Sequence, residues 1–241
     1  MERWVVINKK ADFYGIGEKF GIDPVIARLI RNRDVIEEKE IEQYLYGKIS
    51  DLPSPLEMKD MEKAVSILIK KIREGKRIRI ISDYDVDGVV SNYILYKGLS
   101  QCSALVDYKI PDRILDGYGI NENLIRQAYD DGVDTILTCD NGIAAASQIA
   151  YANELGMKVI VTDHHEVPFE ESGDDRYEKL PPADVIINPK QGSCDYPFKG
   201  LCGGGVYPYS LQRADMEITV GLGRETCMNG IVYTFSQVLV N

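Results

Sequence analysis

The chain has 241 residues, 44% of them hydrophobic and 27% charged, the balance of a globular protein that buries a core rather than of a disordered one. Its 38 acidic and 28 basic side chains give a net charge of −10. That excludes a broad electropositive face for nucleic acid but not a phosphate substrate, because bound cations can supply local positive charge.

Five cysteines without a CxxC pair read as reduced thiols rather than as a disulfide framework or a zinc site. The N-terminus shows no signal peptide and no run is long enough to cross a bilayer, so the expectation is a cytoplasmic protein with no membrane partner.

Residues 1–57 read as an N-terminal helical extension. "DPVIARLIRNR" and "EEKEIEQYLYG" repeat apolar residues every three or four positions, the period of a half-buried helix. "SDLPSPLEMKD" breaks the period with two prolines and marks a linker or turn. "DMEKAVSILIKKIREG" then predicts an amphipathic helix closed by Gly75, in the position that tolerates a left-handed backbone. The basic run of Lys70, Lys71, Arg73, Lys76, Arg77 and Arg79 reads as a solvated helix end followed by strand flanks.

From there strands alternate with helices. Strands are expected at 77–82, 104–110, 134–139, 157–162 and 183–188, and helices near 89–99, 121–131 and 143–155. Such alternation predicts an α/β fold with a mostly parallel sheet and helices on both faces. "ESGDDRYEKLPP" reads as a polar excursion before the last strand, and 207–241 as a C-terminal tail without clear periodicity.

The polar clusters share one location. The first strand ends in Asp83, Asp85 and Asp87, the third in Asp140 and Asn141, the fourth in Asp163, His164, His165 and Glu166, and the fifth in Asn188 and Lys190. In an open parallel sheet, functional groups gather in the crevice beyond the carboxyl ends of the strands. Carboxylates converging there raise one another's pKa and resist ionising together. Divalent ions reverse that penalty, and oxygen plus imidazole donors suit Mn²⁺ or Mg²⁺. Two such ions about 3.5–4 Å apart can clamp a phosphoryl group and activate water, and Asp140 is placed to bridge them. The chain's two histidines are adjacent, so one can face metal while the other faces substrate.

"DYDVDG" also matches the opening of a calcium-binding EF-hand loop, but that loop needs a glutamate at its twelfth position and a helix in front. Position twelve is Ile94, and a β-branched strand precedes the motif. "LCGGGV" lacks the Lys–Ser/Thr of a P-loop and reads as a turn whose backbone can approach an anion. Cys139 reads as a small core residue.

The set "DYDVDG", "DNG", "TDHH" and "NPK…YPFKGLCGGGV", in this order, resembles the DHH phosphoesterase superfamily, and within it the RecJ-like branch of single-stranded-DNA-specific 5′→3′ exonucleases. "DLPSPLEMKDMEKAV" and "YKIPDRILDGYGIN" support the likeness, which runs from about residue 24 to 206 and makes 58–206 the DHH-type catalytic domain. The resemblance implies phosphodiester hydrolysis at a two-metal Mn²⁺ or Mg²⁺ site acting on single-stranded DNA or a short oligonucleotide. It implies Asp85, Asp87, Asp140 and His164 as ligands, with Asp140 bridging and Asp83 a ligand or its support. Asp163 would orient the histidines and His165 would contact phosphate. Arg113, Asn188 and the glycines Gly203, Gly204 and Gly205 would lie on the substrate side.

The pattern departs from that family at Tyr207. A regular helix and a further aspartate motif that completes the metal site are expected there, and the surroundings of Asp215 do not supply them. The second, substrate-binding domain and an oligonucleotide-binding barrel are also missing from the pattern. The expectation is therefore a catalytic domain truncated or shifted in frame near residue 206, weak or inactive for that reason. Two alternatives stand beside it: an oligoribonuclease or cyclic-dinucleotide phosphodiesterase of the same superfamily, and a non-catalytic remnant that binds metal or nucleotide. The pyrophosphatase branch is disfavoured because "RIRIIS" lacks the histidine that branch carries there.

Overall fold

A computed structural model describes residues 10–48, 51, 53–172 and 175–201; Gly203, Gly204, Gly205 and the tail from 207 lie outside them. The chain divides into two compact units between residues 52 and 53.

The first unit holds α1 (Phe13–Phe20), α2 (Pro24–Asn32) and α3 (Glu38–Tyr46). Helices this short are marginal by propensity and depend on their ends. Asp12 caps α1 by accepting from the Gly15 amide, and Gly21 closes it at φ +64. Asp23 caps α2 ahead of Pro24 at its first position, the place where proline's missing N–H costs nothing. Glu37 and Glu40 form a reciprocal capping box on α3. The two periodic segments of the sequence became α2 and α3. The helix at 13–20 was not anticipated, because "FYGIGEKF" carries two glycines in its interior, which lowers helix propensity; its caps decide the matter.

The second unit opens with a single 3₁₀ turn at Pro55–Glu57 and α4 (Met61–Arg73), which buries Met61, Ala64, Val65 and Leu68 at helical spacing. Gly75 follows at φ +63. The strands and helices then run β1 (Arg77–Ser82), α5 (Val86–Gln101), β2 (Leu105–Lys109), α6 (Glu122–Asp130), β3 (Thr135–Cys139), α7 (Ala146–Glu154), β4 (Lys158–Thr162), β5 (Phe169–Ser172), β6 (Asp175–Glu178) and β7 (Val185–Ile187).

Five strands form one sheet in the order β2-β1-β3-β4-β7, and each neighbouring pair is parallel. Alternate side chains serve opposite faces. Ile78, Ile80, Leu137, Cys139, Ile160, Val185 and Ile187 pack with α4 and α5 residues such as Leu68, Leu95 and Leu99. Ile81, Ile136, Val159, Val161 and Ile186 pack with Leu124, Ile125 and Ala128 of α6 and Ile149 and Ala152 of α7. Burying each such aliphatic side chain contributes about 1.5–3 kcal/mol, so the stabilisation on both faces is shared across many residues. Tyr196 returns to the first of these clusters and donates to the Pro53 carbonyl at 3.3 Å.

Two expectations need correction. The polar excursion before the last strand contains an antiparallel hairpin, β5 with β6. The Arg176 guanidinium lies 3.9 Å from the centre of the Phe169 ring across the hairpin, and Lys179, just past β6, pairs with Glu170, so charged groups dominate and no apolar alternation announced it. The basic run is not simply solvated. Arg79 is nearly buried and bonds Asp107 through two nitrogens at 2.7 and 2.8 Å and Asp131 at 2.8 Å. Lys71 pairs with Asp134 at 2.7 Å.

Candidate metal centre

The parallel register levels the strand ends. Ser82 pairs with Cys139, Cys139 with Thr162, and Thr162 with Ile187. The next residue of each strand is therefore Asp83, Asp140, Asp163 and Asn188, and all four are buried.

Local geometry explains the residues around them. Asp85 caps α5 by accepting from the Gly88 amide at 3.0 Å, which turns the chain sharply back after the strand. A β-carbon on Gly88 would lie 2.4 Å from the Asp83 carbonyl oxygen, so only glycine lets the helix start this close. The N-terminal end of α5 is thereby set beside three carboxylates, a helix capped by aspartate rather than an EF-hand loop. Asp140 has φ +59, a left-handed conformation that aspartate and asparagine tolerate better than most residues but that still costs energy. Asn141 clamps that turn by donating to the Ile81 and Cys139 carbonyls, each at 3.0 Å. Gly142 follows at φ +110, with Thr138 Oγ1 only 2.7 Å from where a β-carbon would be.

The histidines divide as their adjacency demands. His164 Nε2 lies 2.9 Å from Asp140 Oδ1 and 3.3 Å from Asp87 Oδ2. His165 Nδ1 bonds Asp163 Oδ1 at 2.8 Å, and its Nε2 is 3.3 Å from the Tyr118 hydroxyl. Asp163 acts as a hub: its Oδ1 also accepts from the amides of His164 at 2.7 Å and His165 at 3.1 Å, and its Oδ2 from the Ile143 amide at 2.9 Å. Asn188 donates to the His165 carbonyl at 3.0 Å and accepts from the Lys190 amide at 2.8 Å. Its fully buried side chain thus holds the loop rather than projecting into the crevice.

Among the described residues, two sets of donor atoms each lie within 4.8 Å of one another, Asp83 with Asp85 and Asp140, and Asp140 with His164 and His165. Asp140 belongs to both. Asp87 joins through its contact with His164. Neither buried carboxylate oxygen of Asp83 completes a hydrogen bond, an expensive arrangement for a polar group unless a cation partners it. The donor chemistry and the orphaned carboxylate both fit Mn²⁺ or Mg²⁺.

The titration pattern agrees. Burial raises the pKa of Asp83, with Asp85 adding to it; the nearby amides of Tyr84 and Gly119, which stop short of full hydrogen-bond geometry, pull the other way. Burial also pushes Asp140 up to about 6; the His164 contact opposes the shift, and Asp87 and Asp85 reinforce it. Asp163 is buried too, yet its bonds from His165 and the backbone hold it below the usual range. Asp163 in turn raises His165 to about 9, against the opposing effect of burial.

At the rim, the sequence pointed to Arg113 but not to Tyr118. Tyr118 stands edge-on to both His165 and Tyr84, with ring centres 6.4 and 6.1 Å apart. Burial and the carboxylates Asp83, Asp140, Asp163 and Asp85 push its phenol up, which places it in the field of the cluster. Arg113 is exposed, with its guanidinium 5.5 Å from the Tyr84 ring centre. The available signal was "GYG": Gly117 and Gly119, at φ +78 and +68, flank the tyrosine.

Residues 77–232 match the family model described as the DHH family, N-terminal domain; the match continues past residue 206. The chain is 38% identical over 205 residues to the single-stranded-DNA-specific exonuclease RecJ of Bacillus subtilis, which covers 85% of this chain and 25% of that protein. Against RecJ of Haemophilus influenzae it is 34% identical over 197 residues, 81% of this chain and 32% of that protein. The chain thus spans about a quarter to a third of the length of the curated relatives it matches. A crystal structure of exonuclease RecJ bound to manganese superposes with a TM-score of 0.54 at 26% identity, over 78% of this chain and 39% of that one. RecJ of Thermus thermophilus in complex with Mn²⁺ gives 0.54 at 26% identity, over 79% and 25%.

Proposed function

The chain belongs to the DHH family, and from that premise we propose that it hydrolyses phosphodiester bonds as a RecJ-like exonuclease, removing nucleotides from the 5′ end of single-stranded DNA in the cytoplasm. In this reading 58–206 is the catalytic domain, with 1–57 a helical extension and 207–241 a tail. The observation that carries the reading is Asp140, a buried carboxylate in a costly backbone conformation, shared by two groups of metal-donor atoms.

Asp83, Asp85, Asp87, Asp140 and His164 would hold Mn²⁺ or Mg²⁺. When bound, the ions supply the charge neutralisation and water activation that phosphodiester hydrolysis needs. The protein supplies position. Asp163 fixes His165 through Nδ1 and leaves Nε2 facing the Tyr118 side of the crevice, where a protonated ring donates to a phosphoryl oxygen. Asn188 is a positioning residue, because it ties the His165 and Lys190 backbones together. Arg113, exposed over Tyr84, offers a second cation to the strand.

Adding Mn²⁺ to the purified chain with a 5′-labelled single strand tests the reading, and release of labelled mononucleotide is the expected result. Preference for oligoribonucleotides of a few residues would replace it with the short-nucleotide activity. Tight Mn²⁺ binding with no turnover on either substrate would leave a metal-binding remnant.

A further inference from the structure

Within the loop between β2 and α6, the turn from Asp112 to Asp116 carries two side chains, Ile114 and Leu115, that the site described above does not use. Asp112 Oδ1 accepts from the amides of Ile114 at 2.8 Å and Leu115 at 3.0 Å. The Asp112 amide donates to Asp116 Oδ2 at 2.8 Å, and the Asp116 amide returns to the Asp112 carbonyl at 2.8 Å. Asn121 Nδ2 holds the Asp116 carbonyl at 3.0 Å while its Oδ1 caps α6 through the Leu124 amide at 2.9 Å. This frame presents Ile114 at 90% and Leu115 at 83% exposure, more than any other large apolar side chain among the described residues. A loose loop would let them fold back; a loop bonded to itself and to a helix cap holds them out.

We propose that Ile114 and Leu115 form an apolar lip that packs against the faces of unpaired bases in the strand entering the metal centre. The proposal rests on the phosphodiesterase reading and adds to it the residues that contact bases. Three observations choose the occupant. The loop is continuous with the site: four residue steps, at most about 14 Å of chain, lead from Ile114 to Tyr118, whose hydroxyl touches His165. Arg113 precedes the lip, so a cation for the sugar–phosphate backbone and apolar groups for the bases sit side by side. The patch is small, two side chains between Asp112, Arg113 and Asp116, whereas a stable protein interface buries about 800 Å² per partner.

Aliphatic groups read no base edge, so the contact tolerates any sequence. In a duplex the base faces are already stacked, so the lip favours single strands.

The test measures equilibrium binding by fluorescence anisotropy, with Ca²⁺ in place of Mn²⁺ to slow consumption of the strand. The 241-residue chain is compared with the Ile114→Ala/Leu115→Ala variant on a 12-nucleotide single strand and on a matched strand of abasic sites. The variant should lose about 10-fold in affinity for the base-bearing strand and keep its affinity for the abasic one. Equal loss on both strands, or no loss on either, overturns the lip while wild-type cleavage in Mn²⁺ leaves the phosphodiesterase reading intact. Failure of the wild type to bind either strand overturns both. A wild type that self-associates in sedimentation, with a monomeric variant, overturns the lip in favour of a protein contact. Melting temperature should not change, and the single Ile114→Ser variant repeats the comparison if the double variant misfolds.

Discussion

The two ends of the parallel sheet treat charge in opposite ways. Toward the amino ends of the strands, Arg79 is bonded by Asp107 and Asp131, Lys71 of α4 by Asp134, and Lys158 by Asp184. At the carboxyl ends, Asp83, Asp85, Asp87 and Asp140 crowd together with His164 between two of them, and neither oxygen of Asp83 completes a hydrogen bond. The same fold therefore pairs its charges wherever pairing serves stability. The crowding of carboxylates at the other end is a cost retained for a ligand, as expected of a functional site.

Four substitutions would break or sharpen that contrast. The largest effect is expected from Asp140→Asn, which keeps a residue type that tolerates φ +59. Mn²⁺ affinity, followed by titration calorimetry, should fall by more than about 100-fold. The metal-free protein should become more stable. Asp140 is raised to about 6, above its unfolded value, so its ionised form penalises the metal-free fold as pH rises through that range. The amide removes the penalty. Loss of stability at pH 7 in Asp140→Asn would remove the distinction between the two ends.

Arg79→Met should do the reverse. Urea unfolding should show a loss of about 1–3 kcal/mol, moderated because Asp107 and Asp131 remain partly solvated, while Mn²⁺ affinity stays within about twofold. Gly88→Ala should harm both properties. Its β-carbon would press on the Asp83 carbonyl, costing about 1–3 kcal/mol and weakening Mn²⁺ binding by displacing the first aspartates.

The smallest change is Asp163→Asn, read by proton NMR of His165 in the metal-free protein. With Asp163 the imidazole should titrate near 9. The stability this pair contributes is fully present below the unfolded histidine value near 6.5 and is lost as pH rises through about 9. With asparagine the midpoint should fall toward the ordinary value, and an unchanged midpoint would show that Asp163 does not hold the ring.

Much of this was legible in the sequence because the strands are apolar and regular. Five β-branched runs marked the sheet, and the polar clusters marked its carboxyl ends. The strand register was not legible. Nothing in "RIRIIS" or "KVIVT" says that Ser82, Cys139 and Thr162 lie side by side, yet that register assembles the site. The roles of Asn188 and Tyr118 were also hidden, since both follow from how loops pack rather than from local spacing. The hairpin at 169–178 was missed because its strands bury little apolar surface. The charge partners of Arg79 come from positions 28 and 52 residues away, beyond the reach of any local pattern.

The level strand ends carry a further consequence for how this protein can change. Asp83, Asp140, Asp163 and Asn188 each follow the last paired residue of their strand. One residue inserted into β3 or β4 would move the following side chain about 3.3 Å along the sheet and swap it to the opposite face. Length variation should therefore be tolerated at the outer ends of the connecting loops and forbidden within the four strands that carry this row.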